Sequence, residues 1–234
     1  MKKHNLAAVS TVILGLASLT NGAHAASVVW SAPQAITSNL DIQNPGSVHT
    51  ALNIGTASTG TINVDVGGTN VAFSNVTPLP NSGANSDFYN DGMVSSDFES
   101  VLDSFNWDQS SSSTISFSGL TAGGTYLLQA FASDGRINAS FDWKLNLDVG
   151  GTTTILESAI NSGAVGSNGQ EFINGTVTLA AGETSFDLVT SNAPGAFADV
   201  GVLNAVVLSQ TAVPEPSAFL LSGLGLIGLL RRRR

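Results

Sequence analysis

From Phe141 to Val149 the chain alternates without a break. Phe141, Trp143, Leu145, Leu147 and Val149 fall on one face, and Asp142, Lys144, Asn146 and Asp148 fall on the other. A period of two is the repeat of an extended strand with one wet and one dry face, and no helix presents it. Gly150-Gly151 follows at once, and then a β-branched run, Thr152–Ser158. A glycine pair accepts the positive φ angles of a two-residue hairpin turn at no steric cost. The same arrangement stands earlier, with Thr61–Val66 and Asn70–Phe73 joined through Gly67-Gly68. Two such hairpins commit the chain to antiparallel sheet.

Further short apolar alternations are separated by Gly, Ser, Thr and Asn clusters: Thr114–Ser118, Tyr126–Ser133, Glu171–Leu179, Thr184–Ser191 and Leu203–Ser209. Many short strands between turn clusters predict an all-β fold, an antiparallel β-sandwich. One short helix interrupts the pattern. Ser96-Asp97-Phe98-Glu99 has capping-box spacing, and Phe98, Val101, Leu102 and Phe105 follow at i, i+3, i+4 and i+7. It is expected to cover one edge or end of the sandwich. No internal boundary divides residues 26–212, which form one domain of a size that buries a real core.

That body holds no cysteine, so it stands on its core without disulfides and has no thiolate for metal or catalysis. It carries sixteen acids against Arg136 and Lys144, a net of about −14, and its one histidine is His49. Phosphate binding needs clustered Lys and Arg, so nucleic acid is excluded as a partner. No Gly-x-Ser-x-Gly elbow surrounds a serine, and nothing marks one carboxylate pair among the acids. A non-enzymatic protein is expected, with no cofactor and no metal. The acidic stretch Asp87, Asn90, Asp91, Asp97 and Glu99 around Gly92 would place Tyr89 and Phe98 at ligand positions of an EF-hand.

Both ends carry addresses. Residues 1–25 read as a signal peptide, with Lys2 and Lys3, an apolar core from Leu6 to Leu19, and Ala23-His24-Ala25 as the cleavage site. Cutting between Ala25 and Ala26 leaves Ala26 first. At the other end, residues 213–234 contain Pro214, Glu215 and Pro216, an apolar run from Ala218 to Leu230, and Arg231, Arg232, Arg233 and Arg234. The prolines favour an extended strip, the run is a short transmembrane helix, and the arginines hold its end cytoplasmic. The glycines at 223, 225 and 228 match a dinucleotide fingerprint but lie inside this apolar run, where no βαβ unit is possible.

This three-part tail resembles the PEP-CTERM sorting signal of secreted bacterial proteins. The resemblance implies recognition and cutting by an exosortase, a membrane-embedded cysteine transpeptidase. It also implies an inner-membrane precursor and a destination at the cell surface or in a polysaccharide-rich extracellular matrix. The body is similar, through TGTINVDVGGTNVAF, DFESVLDSFNWD, ISFSGLTAGGTYLLQAFASDGR and VLNAVVLS, to galactose-binding-like jelly-roll modules. That similarity implies a fold; the function it suggests as an alternative is binding of exopolysaccharide, with a glycoside hydrolase as a further rival. Ser133-Asp134-Gly135-Arg136 follows the best strand, and Asp134, Arg136 and Trp143 form a candidate ligand rim. The competing reading is a turn in which Asp134 bonds its own backbone.

Overall fold

The computed structural model describes residues 26–55, 60–76, 82–84, 89, 92–108, 112–134, 143–158, 170–193 and 201–212. The predicted signal peptide and the whole C-terminal tail, with its PEP triplet, apolar run and arginines, lie outside them. Among the described residues no helix is long and apolar enough to cross a membrane.

Fifteen strands occur among these residues. In chain order they are β1 (Ser27–Trp30), β2 (Gln34–Ala35), β3 (Val48–Asn53), β4 (Ile62–Val66), β5 (Thr69–Asn75), β6 (Ser82–Ala84), β7 (Ser104–Asp108) and β8 (Ser113–Ser118). Then come β9 (Thr125–Ala132), β10 (Trp143–Val149), β11 (Thr152–Ser158), β12 (Glu171–Thr178), β13 (Ser185–Asn192), β14 (Gly201–Leu203) and β15 (Ala205–Ala212). An eight-stranded sheet runs β1-β12-β9-β15-β3-β5-β4, with β2 beside β12. A four-stranded sheet runs β11-β10-β13-β8, and a small sheet runs β14-β7-β6.

Both predicted hairpins form. Val66 pairs with Thr69 and Val149 with Thr152, leaving Gly67-Gly68 and Gly150-Gly151 as two-residue loops. All four glycines have positive φ, between 60° and 88°. Each loop closes an identical pentapeptide, Asp-Val-Gly-Gly-Thr, and each aspartate accepts from the second glycine's N–H, at 2.7 Å from Gly68 to Asp65 and 3.1 Å from Gly151 to Asp148.

The core has two layers. One lies between the large and four-stranded sheets and includes Leu128, Leu147, Val177, Leu188, Val206 and Leu208. The other lies on the opposite face of the large sheet, where Phe73, Phe131, Phe172 and Val207 meet the helix α1 (Ser96–Leu102) through Phe98, Val101 and Leu102. Phe98 stands edge-on to Phe131 at 5.6 Å between ring centroids, and Phe131 stacks on Phe172 at 5.4 Å. Residues from Tyr126 to Ala132 in β9 are therefore all buried, because the strand is covered on both sides.

Three expectations need correcting. The helix covers a sheet face, against β4 and the second core layer, rather than an edge or end. Its N-cap is Ser95, whose hydroxyl accepts from Phe98 N–H, and not Ser96; its last turn closes at Leu102, so Phe105 belongs to β7. The sandwich is also not purely antiparallel, since β3 and β5 pair in parallel over Ala51–Asn53 and Phe73–Asn75.

Two buried polar side chains, Gln129 and Asn204, tie separate segments together. Gln129, fully buried in β9, donates to the Asp41 carbonyl (2.9 Å) and to Asn174 Oδ1 (3.0 Å), and its Oε1 accepts from Gln43 N–H (2.8 Å). This fastens the segment before β3 to the sheet. Asn204, between β14 and β15, accepts from Ser133 N–H at 2.7 Å and donates to the Leu102 carbonyl, so it caps α1 from the sheet.

Candidate functional site

The predicted sorting tail begins where β15 ends, so the site of interest is the pole from which that strand leaves. β15 is a central strand, paired with β9 on one side and β3 on the other. Along one row across the sheet, Ser27 pairs with Thr178, Thr178 with Thr125, and Thr125 with Ala212. The first and last strands of the domain thus reach the same pole. They stand three strand spacings apart, about 14 Å.

Two turns build this pole. Leu120 N–H donates to the Thr184 carbonyl, Gly123 N–H to Ala180 and Leu179 N–H to Gly124, all at 3.0–3.1 Å. Tyr126 braces the first turn: its hydroxyl accepts from Thr121 N–H at 2.6 Å. Gly124 must be glycine for this closure, because a Cβ there would meet the Thr121 carbonyl at 2.8 Å and the Tyr126 ring at 3.0 Å. Thr211 Oγ1 donates to the Thr125 carbonyl at 3.0 Å, which pins the end of β15 to the start of β9. Glu183 is the one charged residue in residues 118–125 and 178–185.

Beside the pole, β3 is bulged. Ser209 pairs with Val48 and Leu208 with Thr50, so His49 opposes no residue. A bulge re-aims a side chain. The His49 ring turns to the Ser118 carbonyl (3.2 Å) and stands edge-on to Tyr126, with centroids 6.4 Å apart. The parallel pairing of β3 with β5 is confined to Ala51–Asn53, and an open cavity of about 420 Å³ lies between the diverging ends of these strands. Pro45, His49, Thr50, Asn70, Ala72 and Ser74 line it, and among the described residues no carboxylate, lysine or arginine stands on its wall. Nothing in the sequence alone marked His49 as a bulge residue; the signal lies in the register of two strands.

The other sequence-predicted residues are scattered. Ala26, next to the predicted signal cut, is buried in the first core layer. Asp134 lies at the opposite pole from Ala212, past the end of β9, and is 1% exposed, so its carboxylate is inside the protein and not on a rim. Trp143 opens β10 with its backbone paired to Ser158, while Arg136 lies outside the described residues, as do Ala25, Pro214, Glu215, Pro216 and Arg231 to Arg234. Of the acidic stretch, Asp97 and Glu99 sit in the first turn of α1, and Asp87, Asn90 and Asp91 lie outside the description. Among the described residues no three His, Asp or Glu side chains are grouped to hold a metal.

Residues 212–234 match the PEP-CTERM protein-sorting motif, so the tail of the chain carries that signal. No curated protein matches the chain. Among solved structures it is similar to the plant receptor-like kinase ANX2, at 13% identity and a TM-score of 0.52 over 71% of this chain and 49% of that one. It is also similar to the ANX1 ectodomain from Arabidopsis thaliana, at 14% identity and a TM-score of 0.51 over 73% of this chain and 51% of that one. The chain spans about half the length of these structures, and the likeness is one of fold.

Proposed function

We propose that the chain is an exported, non-enzymatic surface or extracellular-matrix protein, a jelly-roll-type sandwich that an exosortase cuts at its C-terminal signal. The observation that carries this reading is the PEP-CTERM motif at residues 212–234, which takes over from the folded domain at the last residue of β15. Pro214, Glu215 and Pro216 present an extended strip to the enzyme, Ala218 to Leu230 hold it at membrane depth, and Arg231 to Arg234 set its orientation. The signal peptide, cut between Ala25 and Ala26, supplies export. Replacing Pro214, Glu215 and Pro216 with alanine is expected to leave an uncut precursor in the inner membrane. Normal maturation of that variant, read by mass spectrometry of its C-terminus, would overturn the proposal.

A second reading, a module that binds neutral exopolysaccharide, has the uncharged cavity beside His49 in its favour. Sugar rings are usually held on an exposed aromatic face, and the large exposed apolar side chains among the described residues are Val29, Leu40, Met93 and Ile155. That weighs against it. Retention on a glycan array that is lost in His49→Ala and Asn70→Ala would establish it, and no retention at all would remove it.

A further inference from the structure

We infer that the pole formed by Ser27, Thr125, Thr178 and Ala212 faces the lipid bilayer in the precursor, held close to it by a tether too short to let the domain turn away. Six residue steps separate Ala212 from Ala218, where the apolar run begins. Even fully extended they span about 20 Å, less than the width of a small domain. The N-terminal apolar core ends at Leu19, eight steps before Ser27, which reaches about 28 Å at most. Until the signal peptide is cut, both tethers therefore leave from one row of one sheet toward one membrane; after that cut the C-terminal tether alone holds the pole there. A fold whose ends lay at opposite poles would need one tether to cross the whole domain.

The same geometry limits where the tail is open to cutting. Residues 205–209 are buried and hydrogen-bonded on both sides, and Thr211 is tied to Thr125. A peptide bond in a central strand cannot enter an enzyme's cleft without dismantling the sheet. The cut therefore falls beyond the paired part of β15, in the sorting tail. In such a cut the enzyme's thiolate attacks a carbonyl carbon of that stretch, and the C–N bond breaks with its electron pair going to nitrogen. The nitrogen takes a proton and leaves with the membrane segment, and water or an amine then displaces the sulfur from the acyl carbon. With Glu183 the only charge on its two turns, those turns offer no lysine or arginine to hold anionic lipid. The domain stays at the membrane by its tether and departs when the tether is cut.

The chain has no cysteine, so one introduced thiol is a unique label. Ala122→Cys and Ala181→Cys place it on exposed positions of the two polar turns, and Thr114→Cys places it on an exposed position toward the far end of β8. In the membrane-held full-length precursor, each is labelled with a small maleimide and with a bulky polymer-linked maleimide. The bulky-to-small rate ratio is expected to be several-fold lower at Ala122→Cys and Ala181→Cys than at Thr114→Cys. A Gly-Ser linker of a dozen residues inserted after Ala212 is expected to erase the difference. Equal ratios at the three positions without the linker would overturn the inference, as would a mature C-terminus at or before Thr211. The cut-site half rests on the sorting reading, while the labelling half needs only a membrane-held chain. An uncut tail in the native host with the labelling contrast intact therefore counts against exosortase processing and not against the orientation.

Discussion

Trp30 lies against Gly175 so closely that a Cβ at residue 175 would fall 2.6 Å from its six-membered ring. The two residues are register partners of β1 and β12, and the Trp30 indole N–H reaches over to the Thr152 carbonyl of the facing sheet at 3.2 Å. One side chain thus closes the edge of the sandwich, and only glycine leaves room for it. Gly175→Ala is expected to destabilise the mature domain by about 1–3 kcal/mol through overpacking. Urea denaturation measures this, and the double variant with Trp30→Ala should show a favourable coupling, because removal of the ring relieves the clash.

Gln129 is a heavily used polar side chain of the interior, with three partners on two other segments. Gln129→Leu keeps the bulk but leaves Gln43 N–H and the Asp41 carbonyl without that partner. A loss of roughly 2–5 kcal/mol is expected. Hydrogen exchange at Gln43 should accelerate more than at Leu208, since the anchored segment loosens before the sheet does.

Asn204 caps α1 from outside the helix. Asn204→Ala removes the donor to Leu102 and the acceptor for Ser133, for an expected cost of about 2–4 kcal/mol. Faster amide exchange across residues 101–103 with little change in β10 would identify the helix as what is lost. A uniform loss across both sheets would contradict the capping role.

Tyr126→Phe tests the brace of the membrane-facing pole. The Thr121 N–H is close to solvent and recovers a water partner, so the cost is expected to be only about 1 kcal/mol. Gly124→Ala, which collides with backbone as well as ring, should cost more. The order of these two by thermal melting checks the geometry of the turn.

Much of the strand content was legible, β4, β5, β8 and β9 as well as the strands after residue 141, because period-two alternation and glycine-pair turns are local. β11 was read to the residue, and Gly67-Gly68 and Gly150-Gly151 were read as the turns they are. β1, β2, β3, β6 and β7 were not foreseen; β1 and β3 do not alternate strongly and are made strands by their neighbours, β1 by Trp30 over Gly175 and β3 by β15. The helix start was misplaced by one residue because Ser95 and Ser96 offer the same hydroxyl to the same turn. Its end was misplaced because Phe105 continues the apolar spacing, while Asn204, a hundred residues away, takes the Leu102 carbonyl and stops the helix there. The sorting motif of the tail was legible, since such a signal is read as a linear string. The candidate rim of Asp134, Arg136 and Trp143 rests on adjacency to a good strand, and burial of Asp134 is a property of the assembled sheet that adjacency does not carry.

The placement of β15 has a mechanical meaning. A pull on the tail acts along the strand axis, at right angles to the antiparallel bonds that β15 makes with β9 and β3. Those bonds are loaded together in shear on two flanks, whereas the edge strand β1 is held on one flank alone. A domain fixed to a surface by this end is expected to resist drag from flowing medium better than one held through β1. Single-molecule stretching from the C-terminus against stretching across β1 should show the higher rupture force for β15, and the reverse order would refute it.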